Sequence, residues 1–158
     1  VDGKMEKLIA NLQECLKTFD MPEVTHKEKD LSFVRKSIEK WKSKYDPNDL
    51  MKIMSLDSKY FLCDDKDIKE IVKWDWTDSK KYVSNKYDCD NFAFSFKSMV
   101  DRKFGLNNVG LVIDYSGGHA YNIVVLASGR VKIFEPQTDG WPRAGTGQYK
   151  FQAGSIII

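Results

Sequence analysis

The stretch His119-Ala120-Tyr121-Asn122-Ile123-Val124-Val125-Leu126, then Ala127-Ser128-Gly129, then Arg130-Val131-Lys132-Ile133-Phe134-Glu135 decides the fold. β-Branched and aromatic residues fill both arms, and Gly129 stands where a three-residue hairpin loop needs a left-handed backbone. A loop closing on Leu126 and Arg130 places Val125 beside Val131, Ile123 beside Ile133 and Tyr121 beside Glu135. One hairpin face is then apolar, with His119 and Glu135 at its far end as diagonal neighbours, close enough for long side chains to meet. Gln137 would lie directly opposite His119. A two-residue turn would put His119 and Glu135 on opposite faces.

Upstream, Asp88 can cap a helix that runs from Cys89 to about Lys103 and stops at Gly105, with Cys89, Phe92, Ala93, Phe96, Met99 and Val100 on one face. A thiol in the first turn sits at the positive end of the helix dipole, which favours thiolate. Of the two histidines, His26 lies in the polar start of a surface helix, whereas His119 opens a strand, where a rigid element can hold an imidazole. Gly117-Gly118 would let that backbone approach the helix closely. Glu135 would accept the other ring proton and fix the tautomer.

These residues predict Cys89 as nucleophile, His119 as general base and Glu135 as orienting acid. The Cys89 N–H is one oxyanion donor, with Asn91 and Gln137 as candidates for the second, and Trp76 with Trp74 and Tyr82 could line a cleft. Each residue alone has a plainer reading: a buried core thiol, a satisfied histidine, a strand-end carboxylate. Their order on helix start, strand and next strand is what makes a site. Asp88 and Asp90 flank Cys89 and oppose a thiolate there. A calcium ion near them would offset that charge; no cofactor is otherwise required, and the metal ligands are unknown.

Toward the amino end, Met5, Leu8, Ile9, Leu12, Leu16 and Phe19 form one helical stripe that Pro22 ends. Leu31, Val34, Ile38, Trp41 and Tyr45 mark a second helix over about 27–45. Asp46-Pro47 reads as an N-cap and first-turn proline of a short helix through Leu50, Ile53 and Met54. Lys66 to Trp74 is a further helix, and 76–87 a loop. Strands are expected at 109–114, 119–126, 130–134, 149–151 and 156–158. The pattern is α+β: a single domain over 1–158, with a helical segment at 1–75 and a papain/transglutaminase-like core at 76–158, where a helix N-terminus packs on an antiparallel sheet.

The 158 residues, 42% of them hydrophobic, suffice for one core. Their 25 basic and 23 acidic side chains nearly cancel, which gives no reason to invoke nucleic acid or an anionic membrane. Apolar runs are far short of the ~20 residues that span a bilayer. No signal-peptide pattern opens the chain. Three widely spaced cysteines, Cys15, Cys63 and Cys89, argue against a disulfide framework and suit a reducing compartment such as the cytoplasm. The oligomeric state is not legible.

Tyr87-Asp88-Cys89-Asp90-Asn91-Phe92-Ala93, Gly118-His119-Ala120-Tyr121-Asn122 and Phe134-Glu135-Pro136-Gln137 together resemble the C-terminal domain of mushroom agglutinins of the Marasmius oreades type. The resemblance covers about 76–137 and implies a papain-like, calcium-dependent cysteine protease with Cys89, His119 and Glu135 as its triad. The β-trefoil of those lectins has no counterpart here, so their carbohydrate binding is not carried over. The expected function is a cysteine hydrolase acting on a protein or peptide. The alternatives are a non-catalytic binding or inhibitory module on a hydrolase-like fold, and an amidase or transglutaminase-type acyl transferase.

Overall fold

A computed structural model describes residues 3–158, apart from the side chains of residues 17–19. In chain order the elements are α1 (Gly3–Phe19), β1 (Lys27–Asp30), α2 (Leu31–Lys42), β2 (Met51–Met54), β3 (Lys59–Leu62), α3 (Asp65–Trp74), a 3-10 turn (Thr77–Ser79), α4 (Cys89–Phe104), β4 (Val109–Asp114), β5 (His119–Val125), β6 (Val131–Phe134) and β7 (Gly154–Ile157). One sheet has the spatial order β2-β7-β4-β5-β6, and β1 pairs with β3 apart from it. β2 is parallel to β7; the other neighbours are antiparallel. The α+β class is as expected.

The β5–β6 hairpin has the register read from its turn. Val125 pairs with Val131 and Ile123 with Ile133. Gly129 adopts φ 83, and its N–H donates to the Leu126 carbonyl at 2.8 Å. A side chain there would be strained, because L-residues rarely enter that region.

Alternation along β5 then divides the core. Tyr121, Ile123 and Val125 pack with Val34 and Ile38 of α2, while Val124, together with Leu126 and Phe134, packs with Ile68 and Ile71 of α3 and Phe96 and Val100 of α4. Helices thus cover both faces of the sheet. Phe96 and Val100 are fully buried, each worth about 1.5–3 kcal/mol relative to exposure. α4 starts at Cys89, with Asp88 as N-cap and the Asn91 side chain accepting the Asp88 N–H at 3.1 Å; it ends at Gly105 with φ 63.

Three local expectations are corrected. The helix expected from residue 27 begins at Leu31: Lys27–Asp30 pairs with Lys59–Leu62, and Asp30 becomes the N-cap, accepting the Phe33 N–H at 2.7 Å. The short helix expected after Asp46 is a turn followed by strand β2. Buried Asp46 accepts the N–H groups of Leu50 at 2.9 Å and Met51 at 2.8 Å, folding the chain back so that β2 reaches β7. The segment 1–75 therefore contains three strands beside its helices. Finally, 149–151 is not a strand. Phe151 is buried at φ 56, with its ring 4.7 Å from that of Trp41.

Candidate functional site

Asp114 organises the turn that leads into β5. Its Oδ1 accepts from the Ser116 hydroxyl at 2.5 Å and the Gly117 N–H at 2.9 Å, and its Oδ2 accepts from the Tyr121 hydroxyl at 2.9 Å and the Phe151 N–H at 2.8 Å. A Cβ on Gly117 would lie 1.8 Å from the Gln148 carbonyl oxygen, so the close approach expected of these glycines is made to residue 148 and not to α4.

This framework holds His119 against the end of β6. His119 Nε2 lies 2.6 Å from Glu135 Oε2, the contact the hairpin register predicts. The same oxygen accepts the Tyr149 hydroxyl at 2.7 Å, and Oε1 accepts the Gln137 N–H at 3.1 Å. Burial works to raise the pKa of Glu135, but the bonds from His119, Tyr149 and Gln137 outweigh it and hold the carboxyl below its ordinary range. Burial, reinforced by Glu135, pushes Tyr149 up to about 12, so its hydroxyl stays a donor. The rings of Tyr121 and Tyr149 flank the imidazole at centroid distances of 5.8 and 5.5 Å.

Cys89 is the first residue of α4, directly after the N-cap Asp88, and is partly exposed. Among the described residues, no hydrogen bond joins it to His119 or Glu135. His119 and Glu135 share the strand parity of Tyr121 and Ile123, whereas α4 is tied to the alternate parity. There buried Asn122 donates to the Ala93 carbonyl at 2.9 Å. Strand parity thus sets the His119 side chain on the face opposite the one that Asn122 turns to α4. His119 and Glu135 meet; Cys89 stands beside neither as a hydrogen-bond partner.

The supporting candidates also move. Gln137 is not opposite His119, because β6 ends at Phe134 and the chain turns, with Thr138 and Gly140 N–H groups donating to the Glu135 carbonyl at 3.3 and 3.2 Å. Asn91 spends its Oδ1 on the α4 cap, leaving Nδ2 as its donor. Trp76 lines a groove with Leu16, Pro22 and Trp74. Cys63 is buried against Asn108, and burial pushes its thiol up to about 11.

The crowding of Asp88 and Asp90 has a direct signature. A hydrogen bond between the two carboxyls raises Asp90, with burial adding to the rise, and lowers Asp88. Among the described residues, ligand atoms of Asp88, Cys89 and Asp90 lie within 4.8 Å of one another.

Sequence reading missed Tyr149, Asp114 and Asn122. Asp114 before Tyr115-Ser116-Gly117 carried an Asx-turn signal. Tyr149, 14 residues from Glu135 in an irregular segment, carried none.

A family model for the ricin-type β-trefoil lectin C-terminal domain matches residues 26–156. Among solved structures, one titled as a PSL1a-E64 complex aligns with TM-score 0.64 and 21% identity over 83% of this chain and 51% of that one. Polyporus squamosus lectin, titled as bound to the human-type influenza-binding epitope Neu5Aca2-6Galb1-4GlcNAc, aligns with TM-score 0.63 and 22% identity over 83% and 49%. The chain spans about half the length of these neighbours, and at such identity the likeness concerns the fold. No curated protein matches.

A lectin family model and lectin neighbours overturn the expectation of a cysteine hydrolase or acyl transferase, and with it that of a protein or peptide substrate. The resemblance to mushroom agglutinins holds at the level of the lectin and not of a protease. No described helix is long and apolar enough to cross a membrane. With a match extending over most of its length, the chain belongs to the family of ricin-type β-trefoil lectin C-terminal domains.

Proposed function

We propose that this chain is a non-catalytic binding module, one domain on a hydrolase-like α+β core, whose ligand is met around His119, Glu135 and Tyr149, with Cys89 at the margin. The observation that carries this is the lectin C-terminal-domain match over residues 26–156. The geometry agrees with it. Glu135 already receives three hydrogen bonds and orients His119 and Tyr149 as fixed polar groups beside aromatic rings. Preset polar groups next to apolar ring surface suit a hydroxyl-rich ligand. A glycan is therefore the ligand class to try first, beginning with the trisaccharide named for the Polyporus squamosus lectin.

Calcium belongs to the same proposal. Asp88 and Asp90 supply carboxylate oxygens that crowd one another, which a cation would relieve, although calcium takes 6–8 oxygens and backbone carbonyls or water would complete the set. A thermal melt that is lower after chelation is the expected result; an unchanged melt removes calcium from the proposal.

The module itself is tested by calorimetric titration with glycans alongside alkylation of Cys89. Saturable glycan binding that survives Cys89→Ala and weakens in Glu135→Gln is expected, with a slowly alkylated Cys89. Fast, pH-dependent alkylation of Cys89 that disappears in His119→Ala, accompanied by cleavage of a peptide, would sink the reading.

A further inference from the structure

Lysines around the end of α2 have opposite surroundings. Lys42 is buried among carboxylates, its Nζ 3.3 Å from Asp46, 3.5 Å from Glu39 and bonded to Asp49. Lys40 and Lys44 are exposed, and neither has an ion pair among the described residues. Between them and the β5–β6 hairpin loop runs an open groove of about 470 Å³, lined by Lys40, Trp41, Lys44, Tyr45, Ser128 and Arg130 among others. The loop abuts α2, since a Cβ on Gly129 would lie 3.3 Å from Ser37 Oγ. A second groove shares Trp41, Tyr45 and Val131 with the first and adds Arg143 and Lys132. Lys132 is paired with Asp65 at 2.7 Å, but Arg130 and Arg143, like Lys40 and Lys44, have no ion pair among the described residues. No acidic residue lines either groove, whereas the grooves at Trp76, Phe94 and Lys69 each set a carboxylate beside their cations. Composition does not explain this, because 25 basic and 23 acidic residues nearly cancel over the chain.

We propose that the joined groove is an anion site for a sulfated oligosaccharide, separate from the His119 cluster. Four cations without counterions suit several anionic groups on one chain better than a single small ion. Arginine's planar fork takes two oxyanion oxygens at once, and lysine serves as a point charge. Trp41 and Tyr45, with ring centroids 5.1 Å apart, are half-buried and braced by Phe151 at 4.7 Å from Trp41, so they offer fixed apolar surface to a sugar ring. Ser128 Oγ accepts the Arg130 N–H at 3.3 Å and keeps its own proton to donate. A membrane fits less well, because none of the exposed large hydrophobic residues lines this groove. At ~3.4 Å per residue, β5 carries the chain ~20 Å from His119 to Val125, so this site stands or falls independently of glycan binding beside Glu135.

Calorimetric titration of the full chain with a size-defined heparin oligosaccharide tests it. Saturable binding is expected at low salt, weakening at least about tenfold between about 50 and 200 mM salt as condensed counterions cease to be released favourably. Neutral dextran of the same length should not bind there. Lys40→Gln with Arg130→Gln should weaken heparin binding at least about tenfold and flatten its salt dependence, with an unchanged near-ultraviolet circular dichroism spectrum. Should that pair misfold, Lys44→Gln with Arg143→Gln is expected to act in the same direction. Lys27→Gln with Lys81→Gln, an equal loss of charge elsewhere, and Glu135→Gln should leave heparin binding unchanged. Absence of saturable binding at low salt, or an equal loss in the Lys27 and Lys81 control, overturns the proposal. So does tighter binding to single-stranded DNA or to phosphatidylserine vesicles than to heparin.

Discussion

The helices α1 and α4 are of nearly equal length, 17 and 16 residues, and both carry an apolar stripe at three- and four-residue spacing, yet they have opposite fates. Phe92, Ala93, Phe96 and Val100 of α4 vanish into the sheet, while Met5, Leu8, Leu12 and Leu16 of α1 face solvent. Periodicity states which side of a helix is apolar; it does not state what will cover it. The covered helix carries the capped N-terminus with Cys89 and packs against the strand that bears His119. The uncovered one lies outside the family match.

The largest effect that contrast predicts is in core truncation. Phe96→Ala should cost about 3–5 kcal/mol in a denaturant melt, because it opens a cavity among Phe134 and its neighbours, whereas Leu12→Ala should cost less than about 0.5 kcal/mol. Equal costs would mean that α1 is packed after all.

Asn122→Ala should cost about 1–2 kcal/mol, since it removes the bonds to the Ala93 and Gly110 carbonyls at 2.9 and 3.1 Å. The loss should concentrate at α4: hydrogen exchange of its first turn should quicken while that of α1 stays unchanged. A uniform change across both helices would break the distinction.

Tyr149→Phe should cost about 1 kcal/mol by taking one donor from buried Glu135. Acid titration sharpens the same point. The folded pKa of Glu135 lies below its ordinary 4.5, so between the two values the unfolded chain binds more protons. Its contribution is full above the ordinary value and is lost as pH falls through the folded one. Glu135→Gln should remove that part of the acid slope; an identical slope in the variant would contradict the assignment. The smallest effect is expected from Lys103→Ala, which breaks the exposed pair to Glu14 and should move stability by no more than about 0.5 kcal/mol.

The site was partly legible for local reasons. Gly129 and the alternation of β5 and β6 impose the register, and the register brings His119 to Glu135. Asp88, followed by Asn91 at the third helical position, marks where α4 starts. What escaped was non-local. Tyr149 completes the Glu135 cluster from an irregular segment. The turn at 135–140 removes Gln137 from its expected place, because the Glu135 carbonyl is taken by Thr138 and Gly140. The chemistry was over-read. A cysteine at a helix start and a histidine on a strand make a reactive pair only when they face one another, and the hairpin register speaks for His119 and Glu135 alone.

By itself the sequence determined those features whose free energy is settled within a few residues: the hairpin register, the starts of α3 and α4, and the amphipathic face of each long helix. Only the tertiary structure decided that Met51–Met54 is a strand, since its ladder partner is Gly154–Ile157, about a hundred residues on, and no short helix there could satisfy the backbone while reaching it. It also decided that one apolar stripe is core and the other surface. Burial is a property of what arrives opposite a face, and a stripe carries no record of its partner.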